Sequence, residues 1–307
     1  FAFLAITTFS CSDDDPAPQS NTIAAIASRT PELSTLVQAL DRAGLVAAVD
    51  GTTQLTVFAP TNDAFNTFFA SLGSGVTVNN VDVDVLRQVL LNHVVAGAVQ
   101  STQLSTGYIQ TSATFGGTTT GNPLNMYVST VSGVRLNGVS NVAIANIIAS
   151  NGVIHVVDAV IGLPTVVTFA AADPNFSTLA GALDARDLIS TLESTEMPPS
   201  PFTVFAPSNA AFAALDAEIP GVVGTLTPEQ LTAVLTYHVV AGANVLSSTL
   251  TEGQVVTTFE TGTLTVGLTG GAKLTDERSR VTNIVAADVQ AANGVIHVLD
   301  NVLLPNF

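Results

Sequence analysis

The chain has 307 residues, a length that suggests two domains, and 24 acidic against 8 basic residues give it a net charge of −16. A surface this negative, with no basic stripe, repels phosphate backbones and anionic lipid, which argues against nucleic-acid binding and a polybasic membrane contact. Apolar residues at 47% against 10% charged argue for packed cores; a single Cys excludes an intrachain disulfide framework, a Cys-based zinc cluster and an iron–sulfur site, and the lack of Trp weakens any site built on ring stacking.

Residues 1–9 (FAFLAITTF) are an apolar run too short to span a bilayer, which takes about 20 residues. The run resembles the tail of a signal peptide. Ser10 and Cys11 follow at once, and a small residue before a lone Cys resembles a bacterial lipoprotein cleavage site. After cleavage Cys11 is expected to become the first residue and to carry acyl chains, a dual-acyl anchor of the kind that stable attachment needs. The run from Cys11 through Ser12 and Asp13 to Asp15, then Pro16 and Pro18, resembles the surface-export signal of Bacteroidetes lipoproteins. Residues 1–20 are expected to be a signal-peptide remnant, a lipidation site and an acidic tether; the plainer alternative is a tether with an incidental Cys.

Beyond residue 20 one unit is written twice. TVFAPTNDAF at 56–65 recurs as TVFAPSNAAF at 203–212, HVVAGA at 93–98 recurs at 238–243, and NGVIHVVD at 151–158 recurs as NGVIHVLD at 293–300. Order is kept while the offset drifts, the mark of a duplicated domain with small loop differences. The units are expected at residues 21–164 and 165–307, joined by almost no linker.

Within a unit the elements follow in chain order. Leu33, Leu36, Val37, Leu40 and Leu45 recur at helical spacing, as do Phe176, Leu179, Leu183 and Leu188 in the second unit, with Pro31 and Pro174 at the helix starts. Residues 54–59 predict a strand stopped by Pro60, matched by Pro207. Thr61 or Asn62, and Ser208 or Asn209, cap a following helix that carries Phe65 or Phe212. Thr227, Pro228 and Gln230 spell a capping box with proline at the first position, and Asp82 aligns with Thr227. The second half of each unit is rich in Thr, Val and Gly in near-alternation, which predicts strands. Asn151-Gly152 and Asn293-Gly294 are turns that deliver the chain into the last strand. The fold class is α+β, with helices packed on an antiparallel or mixed sheet.

The three ordered blocks, found twice, resemble fasciclin domains over nearly all of the chain after residue 20. The resemblance implies a β-sandwich-like core with a packed helical group in each of two tandem domains. It also implies a role in adhesion or matrix contact, in a secreted or membrane-anchored protein.

All four histidines lie in repeated blocks: His93, His155, His238 and His297. His155 and Asp158, like His297 and Asp300, stand three apart on a strand and point to opposite faces, so they do not share an ion. Metal binding is not expected. His155 and His297 sit among Val and Ile, where a ring is buried and hydrogen-bonds the backbone. His93 and His238 close a helix, where an imidazole satisfies last-turn carbonyls. The family resemblance links the corresponding Tyr-His pair to cell-surface receptor contact. Tyr237 and His238 keep both residues, while Asn92 and His93 replace the Tyr. These four are the candidate interaction residues. Pro60, Asn62, Pro207, Asn209, Asn151, Gly152, His155, Asn293, Gly294 and His297 are read as fold-specifying.

No nucleophile elbow, P-loop or dinucleotide-binding glycine motif is present, so no catalytic residue and no cofactor are expected. Pro305 and the interrupting helical blocks argue against an outer-membrane barrel. The favoured expectation is a non-enzymatic, lipid-anchored surface adhesion or matrix-interaction protein, on the extracellular face of the outer membrane or secreted. Its partner would be a cell-surface or matrix protein or a polysaccharide, with the membrane touched only through the N-terminal lipid. The alternative is a glycan-binding accessory lipoprotein of an outer-membrane uptake system. The oligomeric state is left open.

Overall fold

The structure, a computed structural model, describes residues 21–195 and 199–306. Cys11 and its lipidation reading lie outside the described residues.

Each half follows one plan. In the first, helices α1 (Ile23–Arg29), α2 (Ser34–Arg42) and α3 (Val46–Asp50) precede strand β1 (Leu55–Pro60); α4 (Asn62–Leu72) and α5 (Val83–Asn92) lead into β2 (Val94–Ala96), β3 (Gly107–Thr114), β4 (Pro123–Ser129), β5 (Arg135–Leu136), β6 (Ser140–Ala149) and β7 (Gly152–Val157). In the second, α6 (Val166–Ala172), α7 (Ser177–Ala185) and α8 (Ile189–Glu193) precede β8 (Phe202–Pro207); α9 (Asn209–Glu218), α10 (Val222–Thr225) and α11 (Pro228–Tyr237) lead into β9 (Val239–Ala241), β10 (Val255–Thr257), β11 (Thr263–Gly267), β12 (Lys273–Thr275), β13 (Val281–Ala291) and β14 (Gly294–Leu299).

The helix starts follow from their caps. Thr61 accepts from the Ala64 amide and Ser208 from that of Ala211, so the hydroxyl residue, not the neighbouring Asn, is the cap. Asp82 takes the amides of Asp84 and Val85, and Thr227 with Gln230 closes the capping box behind Pro228.

Each domain holds one seven-stranded mixed sheet, in the orders β2-β1-β7-β6-β5-β4-β3 and β10-β11-β12-β13-β14-β8-β9. Strands β1 and β7 run parallel at the centre, from Leu55 opposite Gly152 to Pro60 opposite Val157, as do β8 and β14. Both central strands of the first domain are buried along their whole length, which is why they read as continuous apolar runs. Val57, Ala59 and Ile154 join the core under the helices, while Phe58 and Val157 face Met126, Val128 and Leu136 from β4 and β5. The sheet thus curls over its own centre and gives the sandwich-like core.

The domains meet without a linker. Thr165 already caps α6, and the carbonyl of Pro164 accepts from the Ala292 amide at 2.7 Å. Tyr127 of β4 joins the second domain's core beside Phe169 and is only 3% exposed. Tyr108 of β3 meets the Phe169 ring edge-on at 5.3 Å between centroids and donates its hydroxyl to Asp173 at 3.1 Å. The Asn125 side-chain oxygen accepts from the Gln290 amide of β13 at 2.7 Å. Burial and the Asp173 carboxylate both push the Tyr108 and Tyr127 hydroxyls up from their ordinary range. Aromatic burial plus satisfied polar contacts makes this junction resemble a core rather than a sliding contact.

Candidate interaction site

The candidate pairs sit where the helix before the first short edge strand ends. In the first domain, the His93 ring nitrogen Nδ1 donates to the Val89 carbonyl at 2.7 Å, and Nε2 accepts from the Ile161 amide at 2.9 Å. In the second, His238 Nδ1 donates to the Val234 carbonyl at 2.7 Å, and Nε2 accepts from the Leu303 amide at 2.9 Å. A carbonyl only accepts and an amide N–H only donates, so both rings are neutral with the proton on Nδ1. Burial holds both well below the ordinary imidazole range, at about 4, against the opposing pull of the carbonyl bond.

The residue before each His fills one slot in two ways. Asn92 donates to the carbonyls of Ile161 and Gly162 and accepts from the Thr111 hydroxyl. The Tyr237 hydroxyl donates to the Thr263 carbonyl at 2.7 Å and accepts from the Glu277 amide at 3.1 Å. Burial, reinforced by the carboxylates of Glu277, Asp276 and Glu260, pushes that hydroxyl up against the opposing pull of the Glu277 amide bond. All four side chains are buried, with Tyr237 and Asn92 at 0% exposure. The slot lies beneath the surface, and these four candidate interaction residues tie neighbouring segments together.

His155 and His297 face the other way. Nε2 of His155 donates to the Val99 carbonyl at 3.0 Å and Nδ1 accepts from the Asn146 amide at 3.3 Å; His297 does the same with Val245 and Asp288 at 2.8 and 3.4 Å. Burial lowers both pKa values. Each ring stacks on the phenylalanine beside it on the parallel neighbour strand, Phe58 or Phe205. The Asp288 carboxylate comes within 4.0 Å of His297 Nδ1, yet that nitrogen already accepts the hydrogen bond from the Asp288 amide. Among the described residues no group of three or more His, Cys, Asp or Glu could hold a metal ion.

Sequence reasoning missed two features here. Asn151 is a buried bracket: its oxygen accepts from the Ile23 amide and its nitrogen donates to the carbonyls of Val49 and Gly51. Asn293 repeats this with Val166, Leu192 and Ser194. Asn62 binds the Thr35 amide and the Pro31 carbonyl, tying β1 and α4 to the start of α2, and Asn209 does the same with Thr178 and Pro174. The recurrence of both Asn at fixed places in the duplicated blocks was the available signal. Gly152 and Gly294 are needed by close approach, since a Cβ there would overlap the carbonyl oxygen of Leu55 or Phe202. Pro60 and Pro207 end their strands.

The model of the Fasciclin domain family matches residues 31–164 and 174–305. Helices α1 and α6 lie ahead of the matched segments. An uncharacterized protein of Synechocystis, sll1735, is 38% identical over 144 residues, which are 46% of this chain and 98% of that protein. Transforming growth factor-beta-induced protein ig-h3 of Sus scrofa is 30% identical over 270 residues, 84% of this chain but 36% of that protein. Among solved structures, a FAS1 domain pair from the insect cell adhesion molecule fasciclin I superposes with a TM-score of 0.54 at 21% identity, covering 88% of this chain and 95% of that one.

Proposed function

The chain belongs to the fasciclin family, and from that premise we propose that it is a non-enzymatic adhesion or matrix-contact protein acting outside the cell. One observation carries the reading: two complete fasciclin units are packed into one another, and every histidine nitrogen in them is spent on the backbone. A scaffold whose most reactive side chains are internal struts offers shape and surface, not reagents. The insect relative is described as a cell adhesion molecule, which supports the same reading.

Tyr237 and His238 act as positioning residues in this proposal. The Tyr237 hydroxyl ties Thr263, at the end of the 258–262 loop, to Glu277 in the 276–280 loop, while His238 holds Leu303 of the closing segment; the 258–262 loop presents the exposed Phe259 and the acidic Glu260 toward a partner. Attachment to the cell is through a lipid on Cys11; among the described residues no helix is long and apolar enough to cross a membrane. Beads coated with the full chain should capture intact envelopes, and Phe259→Ser should lower capture without changing the melting curve. Capture no better than on albumin-coated beads would overturn the adhesive reading. A chain recovered without acyl mass on Cys11 would overturn the anchor alone.

A further inference from the structure

The junction between the domains has two halves, and each domain carries a version of both. Strand registers define the equivalences. Asn141 and Asn283 bind Asp158 and Asp300 identically, and pair with Arg135 and Lys273. Counting outward from there, Val128 matches Val266 and Tyr127 matches Thr265, so Asn125 matches Thr263. Tyr108, opposite Tyr127, then matches Val255, opposite Thr265. On the receiving side, the Ile23 and Val166 amides both bind the turn asparagine, so Ile26 matches Phe169. Ile148, opposite Val153, matches Gln290, opposite Val295.

In the described chain one projecting face and one receiving face are consumed by the junction, and the other pair is left over. On the projecting side, Tyr127 is buried and Tyr108 half-buried, while Val255 is 62% exposed and Thr263 and Thr265 are exposed beside it. On the receiving side, Phe169 is buried and Gln290 is 2% exposed, while Ile26 is half-buried and Ile148 is 54% exposed. Aliphatic residues therefore stand in the open at two positions whose equivalents, the half-buried Tyr108 and the buried Gln290, pack into the junction.

We propose that these leftover faces bind one another between copies of this chain. The β10–β11 face of one copy docks on the α1–β6 face of the next, repeating the geometry of the internal junction. The occupant is a second copy because the receiving face holds the same place in the repeated fold as the one that already accepts a β3–β4 face within the chain, with aliphatic Ile26 and Ile148 where that one has Phe169 and Gln290. Such a contact is heterologous, so it leaves free faces at both ends and grows an open head-to-tail series. Val and Thr in place of two Tyr, and Thr263 in place of the Asn125 that bonds the Gln290 amide, make it weaker than the internal junction. Mutual repulsion at a net charge of −16 weakens it further at low salt, so association strengthens as salt screens the charge. The inference stands apart from the adhesive reading, because a chain that stays monomeric can still be captured by a partner.

The test is sedimentation velocity on the full chain over a concentration series, at low salt and at about 0.15 M salt, where the screening length is about 8 Å. Wild type should pass from monomer through dimer to larger species, more so at the higher salt. Val255→Asp and Ile148→Asp change exposed side chains and should leave the thermal melt alone, yet each should weaken association by at least about tenfold. Mixing the two variants restores one good contact per pair, so the mixture should form dimers and stop there. A wild type that is monomeric up to its solubility limit would overturn the proposal and leave the faces to a different partner. Association untouched by either substitution, or a mixture that stays monomeric, would overturn it equally.

Discussion

The two domains solve the same problem at one buried slot with different chemistry. In the first, Asn92 reaches two carbonyls of the closing segment directly. In the second, Tyr237 reaches across to a strand carbonyl and to the amide of Glu277 in the 276–280 loop. That loop is anchored by Asp276, whose buried carboxylate takes the amides of Arg278, Arg280 and Leu304, and by Arg280, which bridges Asp276 to Glu218. The adjacent histidine does not change: its two bonds have the same partners by position and nearly the same lengths in both domains. The difference teaches that the histidine closes the fold while the residue before it is free to serve the local loop, so the duplicated units can diverge there at little structural cost.

This contrast can be broken at several depths. The severest test is Gly152→Ala against Gly294→Ala. Each added methyl overlaps a carbonyl of the parallel neighbour strand, and each should cost more than about 4 kcal/mol, confined to its own domain. Limited proteolysis followed by mass mapping would show which half becomes cleavable.

Next come the closing histidines. Folded, their pKa is about 4; unfolded, it returns to about 6.5. The folded state therefore binds fewer protons in that window, and stability is full above about pH 6.5 and lost as pH falls toward 4, by something on the order of 3 kcal/mol per ring. His155 and His297 add in the same direction. Urea midpoints at pH 7.5 and pH 4.5 should drop together in both halves, and His238→Ala should flatten the dependence in the second half only.

Tyr237→Phe separates the slots more gently. It keeps the ring but strands the Thr263 carbonyl and the Glu277 amide, which should cost about 1–2 kcal/mol in the second domain. Hydrogen exchange should quicken at residues 258–263 and 276–280 and stay unchanged around Asn92. The smallest effect is expected from Glu218→Gln. Arg280 holds the Glu218 carboxylate below its ordinary range, but Glu218 is 46% exposed, so the loss should be a few tenths to about 1 kcal/mol.

What the sequence revealed was local. Thr227, Pro228 and Gln230 announce a helix start because all the atoms involved lie within four residues. The parallel β1–β7 centre appeared only as apolar runs, since nothing in a run says which distant strand lies beside it. Asn151 was legible as a turn and illegible as a bracket, because its partners Val49 and Ile23 lie over a hundred residues away. Of the interdomain junction only the near-absence of a linker was legible, not the contacts that seal it. Tyr108 and Tyr127 sit in an alternating strand pattern that looks alike whether the outer face meets water or another domain.

The placement of β7 has a consequence for biogenesis. It is the last strand of its domain and inserts between β1 and β6, next to the first strand made. Neither domain can complete its sheet until its final residues have left the ribosome or the export channel, so long-range closure, not local helix formation, sets the pace of maturation. A chain threaded in from its N-terminus thus arrives as two successive unfinished sheets, each sealed by the segment that emerges last.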